Sequence, residues 1–171
     1  MKHRRIITQG LKGRRQGFTL VEVLVASAIV GIMFVCLLEA FRVGLTMLEH
    51  SQRLTIASSL AEEVHQMTLT LPLADPSDAL HWGLESGETA AACDDVDDLD
   101  GQTFSPPVKA DGTPIAGLAQ YAQRVTVVSV SDANYNQVVA NGASTVYRVT
   151  VVISRSGADV CEMSWLIVGS Q

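Results

Sequence analysis

No proline occurs between Met1 and Leu71, and between Phe18 and Leu38 the only charged side chain is Glu22. The first absence leaves a long amino-terminal helix free of the residue that most reliably breaks one. The second makes residues 18–38 an apolar segment of 21 residues, which at a rise of ~1.5 Å per residue matches a hydrocarbon core of about 30 Å. Cysteine is scarce as well. There are three, none in C-x-x-C spacing, and the four histidines (His3, His50, His65, His81) do not fall at zinc-ligand intervals from them, which argues against a zinc site. No G-x-S-x-G, P-loop or H-E-x-x-H occurs, and neither His65 nor His81 lies in a Ser/Asp arrangement that the sequence reveals as catalytic, so nothing points to an enzyme. Basic residues are few beyond Gly17. Arg42, Arg53, Lys109, Arg124, Arg148 and Arg155 stand against 18 acids, a side-chain balance of −12 that argues against nonspecific nucleic-acid binding.

What is present is ordered. Residues 1–17 hold Lys2, Arg4, Arg5, Lys12, Arg14 and Arg15 with no acid, then comes the apolar run, and all the acids lie in or beyond that run. By the positive-inside rule this places the amino terminus in the cytoplasm and the remainder outside it, with residues 18–38 crossing the inner membrane once. An ordinary secretory signal has its small-residue cleavage site after the apolar region, whereas here Gly17 precedes it, so the apolar helix stays in the processed chain. Glu22 needs its own explanation, because a carboxylate within the hydrocarbon costs roughly 2.5–3.5 kcal/mol even on lenient insertion scales.

Gly17-Phe18-Thr19-Leu20-Val21-Glu22, following Lys12 and Arg14-Arg15, resembles the cleavage and methylation segment of type IV prepilins and type II secretion pseudopilins. The resemblance implies cleavage by prepilin peptidase between Gly17 and Phe18, N-methylation of Phe18, and a register role for Glu22, whose carboxylate pairs with the amino terminus of a neighbouring subunit. Physical chemistry is compatible with that role. An α-amino group with a pKa of roughly 7.7–8.0 is mostly cationic at neutral pH and neutralises a carboxylate in an apolar surrounding. The resemblance also implies partners: other pilins or pseudopilins, and an inner-membrane platform protein with its assembly ATPase. The implied final location is a filament.

Past Leu38 the pattern becomes amphipathic. Phe41, Leu45, Leu48, Thr55 or Ile56, Leu60, Val64, Met67 and Leu71 recur at helical spacing, and Glu49 lies four residues before Arg53 in the favourable order, so residues 39–71 continue the helix until Pro72 ends it. Gly31 sits where major pilins often have a helix-loosening glycine, but Glu39 stands near where many of them carry proline, which predicts a more continuous stem. Residues 72–171 form the head. Residues 72–117 read as an acidic connecting region, and residues 118–171 as antiparallel strands over 121–130, 145–154 and 160–168, with turns at Asn141-Gly142 and Ser154-Arg155-Ser156-Gly157-Ala158-Asp159. Tyr147, Val149, Val151 and Ile153 share one face, as do Cys161, Met163, Trp165 and Ile167, and both faces are expected on the stem. Trp82 and Trp165 read as packing residues and His65 as a polar stem position. The fold class is therefore α+β and pilin-like, a long amino-terminal helix packed on a carboxyl-terminal antiparallel sheet.

Two features of the head carry possible chemistry. Cys36 lies in the apolar helix, which leaves Cys93 and Cys161 as a disulfide pair in an oxidising compartment, the alternative being two buried thiols. Asp94, Asp95, Asp97, Asp98 and Asp100, followed by Gly101, offer hard oxygen ligands suited to Ca²⁺ in a spacing that is not that of an EF-hand; the alternative is a solvated loop whose repulsion is relieved by Arg124 or Arg148. The same block, with Ser105-Pro106-Pro107, resembles the D-D-V-D-D-Y-x-G block of minor pilins similar to the D subunit of mannose-sensitive haemagglutinin pili, with Leu99 in place of the aromatic. The reading is a minor pilin or pseudopilin of a type IV-like filament. Its alternatives are a type II secretion pseudopilin and, in another class, an adhesin or DNA-binding module displayed on a pilin stem.

Overall fold

The computed structural model describes residues 17–73, 81–84 and 93–169. The basic leader before Gly17 and parts of the connecting region, Pro76 among them, lie outside the described residues. A single helix, α1 (Leu20–Thr70), runs without interruption through Gly31 and Glu39 and stops two residues before Pro72. The chain divides into two units, Met1–Met47 and Leu48–Gln171, and α1 contributes to both.

In the first unit every described side chain is exposed, Phe18, Val21, Met33 and Leu38 included. Its most apolar window reaches a mean hydropathy of 2.6, so this helix is long and apolar enough to cross a membrane. Nothing within the unit covers it. An apolar surface on all sides of a helix fits a lipid or protein environment, not water.

In the second unit α1 buries Ala57, Leu60, Ala61, Val64, Met67 and Thr68, a stripe at three- and four-residue intervals. Phe41, Leu45 and Leu48, which share the helical spacing in the sequence, are exposed, so burial on the chain's own head starts only near Ile56. The stripe faces a five-stranded antiparallel sheet of β1 (Thr103–Phe104), β2 (Tyr121–Ser131), β3 (Asn134–Val138), β4 (Val146–Arg155) and β5 (Ala158–Val168). The order is β1-β2-β4-β5, and β3 also pairs with β2. Since β4 occupies one edge of β2 from Tyr121 to Val130, β1 and β3 share its other edge, β1 near Gln123 and β3 near Val130.

Strand register sets the core in rows. Gln123, Ile153 and Cys161 form one row, and Val125, Val151 and Met163 the next; Val127, Val149 and Trp165 form the third, and Ser129, Tyr147 and Ile167 the fourth. The period-two alternation thus delivers the expected inward faces of β4 and β5, with Val149, Val151 and Ile153 fully buried. Each such aliphatic side chain contributes on the order of 1.5–3 kcal/mol. The β4–β5 hairpin turns at Ser156 (φ 51°) and Gly157 (φ 83°), the two consecutive positive values of a type I′ turn. β1 and β3 were not legible in the sequence: β1 has two residues, and β3 (NYNQV) is polar and exposed throughout.

One buried polar residue ties three parts together. The Gln123 side chain donates from Nε2 to the carbonyls of Leu60 (2.9 Å) and Val108 (3.0 Å), and its Oε1 accepts from the Val108 amide (2.7 Å). It joins α1, the connecting region and β2, and its amide group is well satisfied in the core.

Candidate functional site

The acidic block does not form a solvated loop. Val96 donates its amide to the Pro72 carbonyl (3.0 Å), which folds the block back against the end of α1, and Val96 and Leu99 insert into the core. A 3₁₀ turn at Asp97–Leu99 then carries the carboxylates inward, so that Asp95, Asp97 and Asp98 are 1%, 2% and 0% exposed. Most of these side chains act as backbone acceptors. Asp95 Oδ1 accepts from the Asp98 amide, Asp98 Oδ2 from the Asp94 amide and Asp97 Oδ2 from the Gly83 amide, each at 3.1 Å.

Asp100 faces another way. Its Oδ1 accepts from the Val127 amide (3.0 Å) and its Oδ2 from Trp82 Nε1 (3.1 Å), while the Trp82 ring lies 5.0 Å from that of Tyr147. Both oxygens are engaged in clamping residues 81–84 to the sheet, so Asp100 is not placed with the other acids. Of the five expected ligands, Asp94, Asp95 and Asp98 come together, with ligand oxygens all within 4.8 Å of one another, and Asp97 lies beside Asp95. The expected counter-charges do not come. Arg124 pairs with Asp159 on β5 (3.4 Å) and Arg148 donates to the Tyr135 carbonyl (3.4 Å), because both project from the sheet face opposite α1.

The electrostatic consequences are visible on two groups. Asp97 is pushed up to about 6, first by burial and further by the charges of Asp95 and Asp98, against the pull of the Gly83 amide. The Tyr147 phenol is pushed up to about 12 by burial and then by the nearby Asp97 and Asp95. Trp82, Gly83 and Tyr147 are therefore part of this site, and sequence reasoning did not attach them to it. The only trace in the sequence was the aromatic type of two of them, since their approach depends on long-range chain folding.

At the other end of the described chain, Gly17, Phe18 and Thr19 precede α1 and Thr19 caps it. The Glu22 amide donates to Thr19 Oγ1 (3.2 Å) and to the Thr19 carbonyl (3.1 Å). Thr19-Leu20-Val21-Glu22 has the spacing T-x-x-E of a capping box, in which an acid at the third helical position also meets the positive end of the helix dipole. Gly17, Phe18, Thr19 and Glu22 border one open cleft, so the carboxylate lies on the same surface as the Gly17–Phe18 peptide bond.

Residues 12–35 match the family described as Prokaryotic N-terminal methylation motif. The match takes in the basic residues Lys12, Arg14 and Arg15, Gly17, Glu22 and the apolar run as far as residue 35. It stops within unit 1 and does not reach the head. Neither the curated proteins nor the solved structures contain a match to the chain. The methylation motif supports a type IV pilin-like or pseudopilin-like protein, and the α+β architecture of a long amino-terminal helix on an antiparallel sheet is that of a pilin-like fold.

The remaining expectations resolve in the head. The Cys93–Cys161 bridge is not made, and Cys161 is a free thiol. Cys161 shares a row with Gln123, which reaches Leu60, whereas Cys93 borders a cavity with Met67, Thr70 and Leu71. Trp165 donates from Nε1 to Thr68 Oγ1 (3.1 Å) and packs edge-on to His65 with ring centroids 4.9 Å apart, so His65 is a packing residue as well as a polar one.

Proposed function

We propose that the chain is a structural subunit of a type IV-like filament, a minor pilin processed by prepilin peptidase. The observation that carries this reading is the methylation-motif match over residues 12–35, joined without a break to an apolar helix that has no partner in its own unit. Cleavage after Gly17 would leave a new amino group on Phe18, one residue before the Thr19 cap and one helical turn from Glu22. The Glu22 carboxylate and a neighbour's methylated amino terminus form a charge pair that only assembly completes, which sets the stagger between subunits. The apolar face of residues 18–38 serves first as a membrane anchor and then as filament core. Other pilins, the platform protein and its ATPase are the partners in this reading, and the protein has no catalytic role. The assignment as a minor pilin, and not a secretion pseudopilin, rests on the resemblance of the block from Asp94 to Gly101.

Intact-mass analysis of the protein recovered from membranes tests the class. A chain starting at Phe18 and carrying one added methyl group is expected, and any other start overturns the reading. In the same preparation Glu22→Val should insert and be cleaved but lose crosslinks to other pilins. Recovery of the protein with sheared extracellular filaments is expected of a minor pilin, whereas recovery only with a secretin complex would assign it to secretion.

A further inference from the structure

We propose that Thr19 is a positioning residue for removal of the leader: its side chain fixes the first turn of α1, so that the Gly17–Phe18 bond stays outside the helix and open to the peptidase. The inference rests on the prepilin reading above and adds to it a part played by the chain's own fold. Three contacts define the start of the helix. The Thr19 carbonyl accepts from the amides of Glu22 (3.1 Å) and Val23 (3.2 Å), and Thr19 Oγ1 accepts from the Glu22 amide (3.2 Å). Thr19 is therefore the N-cap, its hydroxyl matching one of the amides that a helix start leaves without an intrahelical partner. The first carbonyl drawn into α1 is that of Thr19, two residues past that of Gly17. Phe18 is 81% exposed, and a Cβ on Gly17 would meet nothing within 4 Å, so both sides of the bond are open.

The chemistry of the cut makes the place of that start matter. The oxygen of a water molecule joins the Gly17 carbonyl carbon, the carbon–nitrogen bond to Phe18 breaks and the nitrogen takes a proton, which leaves a carboxylate on Gly17 and an amino group on Phe18. In between, the Gly17 carbonyl oxygen gathers negative charge that donors of the peptidase have to meet. A Gly17 carbonyl committed to the first turn of a helix is turned toward its own chain's amides instead. Of residues 17–19 only Thr19 has a side-chain acceptor, and Gly17 is the next residue of a type suited to an N-cap. Without the Thr19 hydroxyl the helix gains by starting two residues earlier, with Gly17 as the cap, Phe18 as the first helical residue and the scissile carbonyl as acceptor for the Val21 amide. Gly17, Phe18, Thr19 and Glu22 border one cleft, so cap and bond share a surface. The cap uses the backbone amide of Glu22 and not its carboxylate, which leaves the carboxylate for the charge pair of assembly.

Full-length protein in membrane vesicles is incubated with a purified prepilin peptidase, and loss of residues 1–17 is timed by mass spectrometry for the parent and for Thr19→Val, Thr19→Ser and Thr19→Asn. Valine keeps the branched shape and loses the acceptor, whereas serine and asparagine change the shape and keep an acceptor. A fall of roughly fivefold in kcat/KM is expected for Thr19→Val, the scale on which loss of a cap weakens a helix start, with Thr19→Ser and Thr19→Asn within about twofold of the parent. All described buried side chains lie between Ala57 and Ile153, so an unchanged Tm of the head shows that the variants are folded. Equal rates for Thr19→Val and the parent would overturn the inference. So would a Thr19→Asn as slow as Thr19→Val, since the peptidase would then be reading the threonine side chain itself. A parent that is not cut after Gly17 would instead overturn the prepilin reading on which the inference rests.

Discussion

At the residue scale the head depends on polar side chains placed where apolar ones would be the default. Gln123 sits in the inward row between α1 and β4, and its side-chain amide makes three bonds to the backbone of Leu60 and Val108. Gln123→Leu keeps the volume but strands the Val108 amide and carbonyl in the core. A loss of about 2–4 kcal/mol is expected, because buried unmatched groups carry their full desolvation cost. Urea unfolding checks this, with a lower midpoint and an unchanged slope as the expected result. Thr19 and Glu22 show the same economy at the start of α1, where one short sequence supplies a helix cap and a carboxylate next to the Gly17–Phe18 bond.

At the element scale the β4–β5 hairpin fixes which side chains face the helix. Its turn needs positive φ at two successive positions, and Ser156 occupies one of them at 51° while glycine takes the other at 83°. A left-handed backbone costs a non-glycine residue roughly 1–2 kcal/mol, and asparagine is the residue that tolerates it best. Ser156→Asn should therefore stabilise the head by about 0.5–1 kcal/mol. Gly157→Val should destabilise it by more than 1 kcal/mol, although a Cβ there meets open space, because the strain is in the backbone. Thermal melts of the two variants should move in opposite directions.

At the scale of the whole molecule, all described buried side chains fall between Ala57 and Ile153, and the unit that holds them begins at Leu48. The first unit contributes no side chain to that core, and its residues answer instead to surroundings outside the chain. A chain shortened to begin at Leu48 should therefore be soluble without detergent and unfold in a single cooperative transition. Its Tm should lie within a few degrees of that of the full protein in detergent. A shortened chain that is unfolded or aggregated, by circular dichroism and gel filtration, would mean that the apolar helix supports the head.

The sequence by itself determined the amino-terminal half and the inward faces of the strands. Helical periodicity, the absence of proline before Pro72, and the alternation in β4 and β5 are local signals that tertiary contacts only reinforce. It could not reveal that Phe41 and Leu48 stay exposed while Ala57 and Leu60 are buried, since an amphipathic stripe does not say what will cover it. Nor could it separate Asp100, clamped by Trp82 and Val127, from Asp94, Asp95 and Asp98, which converge. Five aspartates in seven positions look like a solvated run when read along the chain. Only the tertiary structure turned the block inward, because inserting Val96 and Leu99 into the core carries the intervening carboxylates with them, and backbone amides of the turn and of Gly83 are there to receive them.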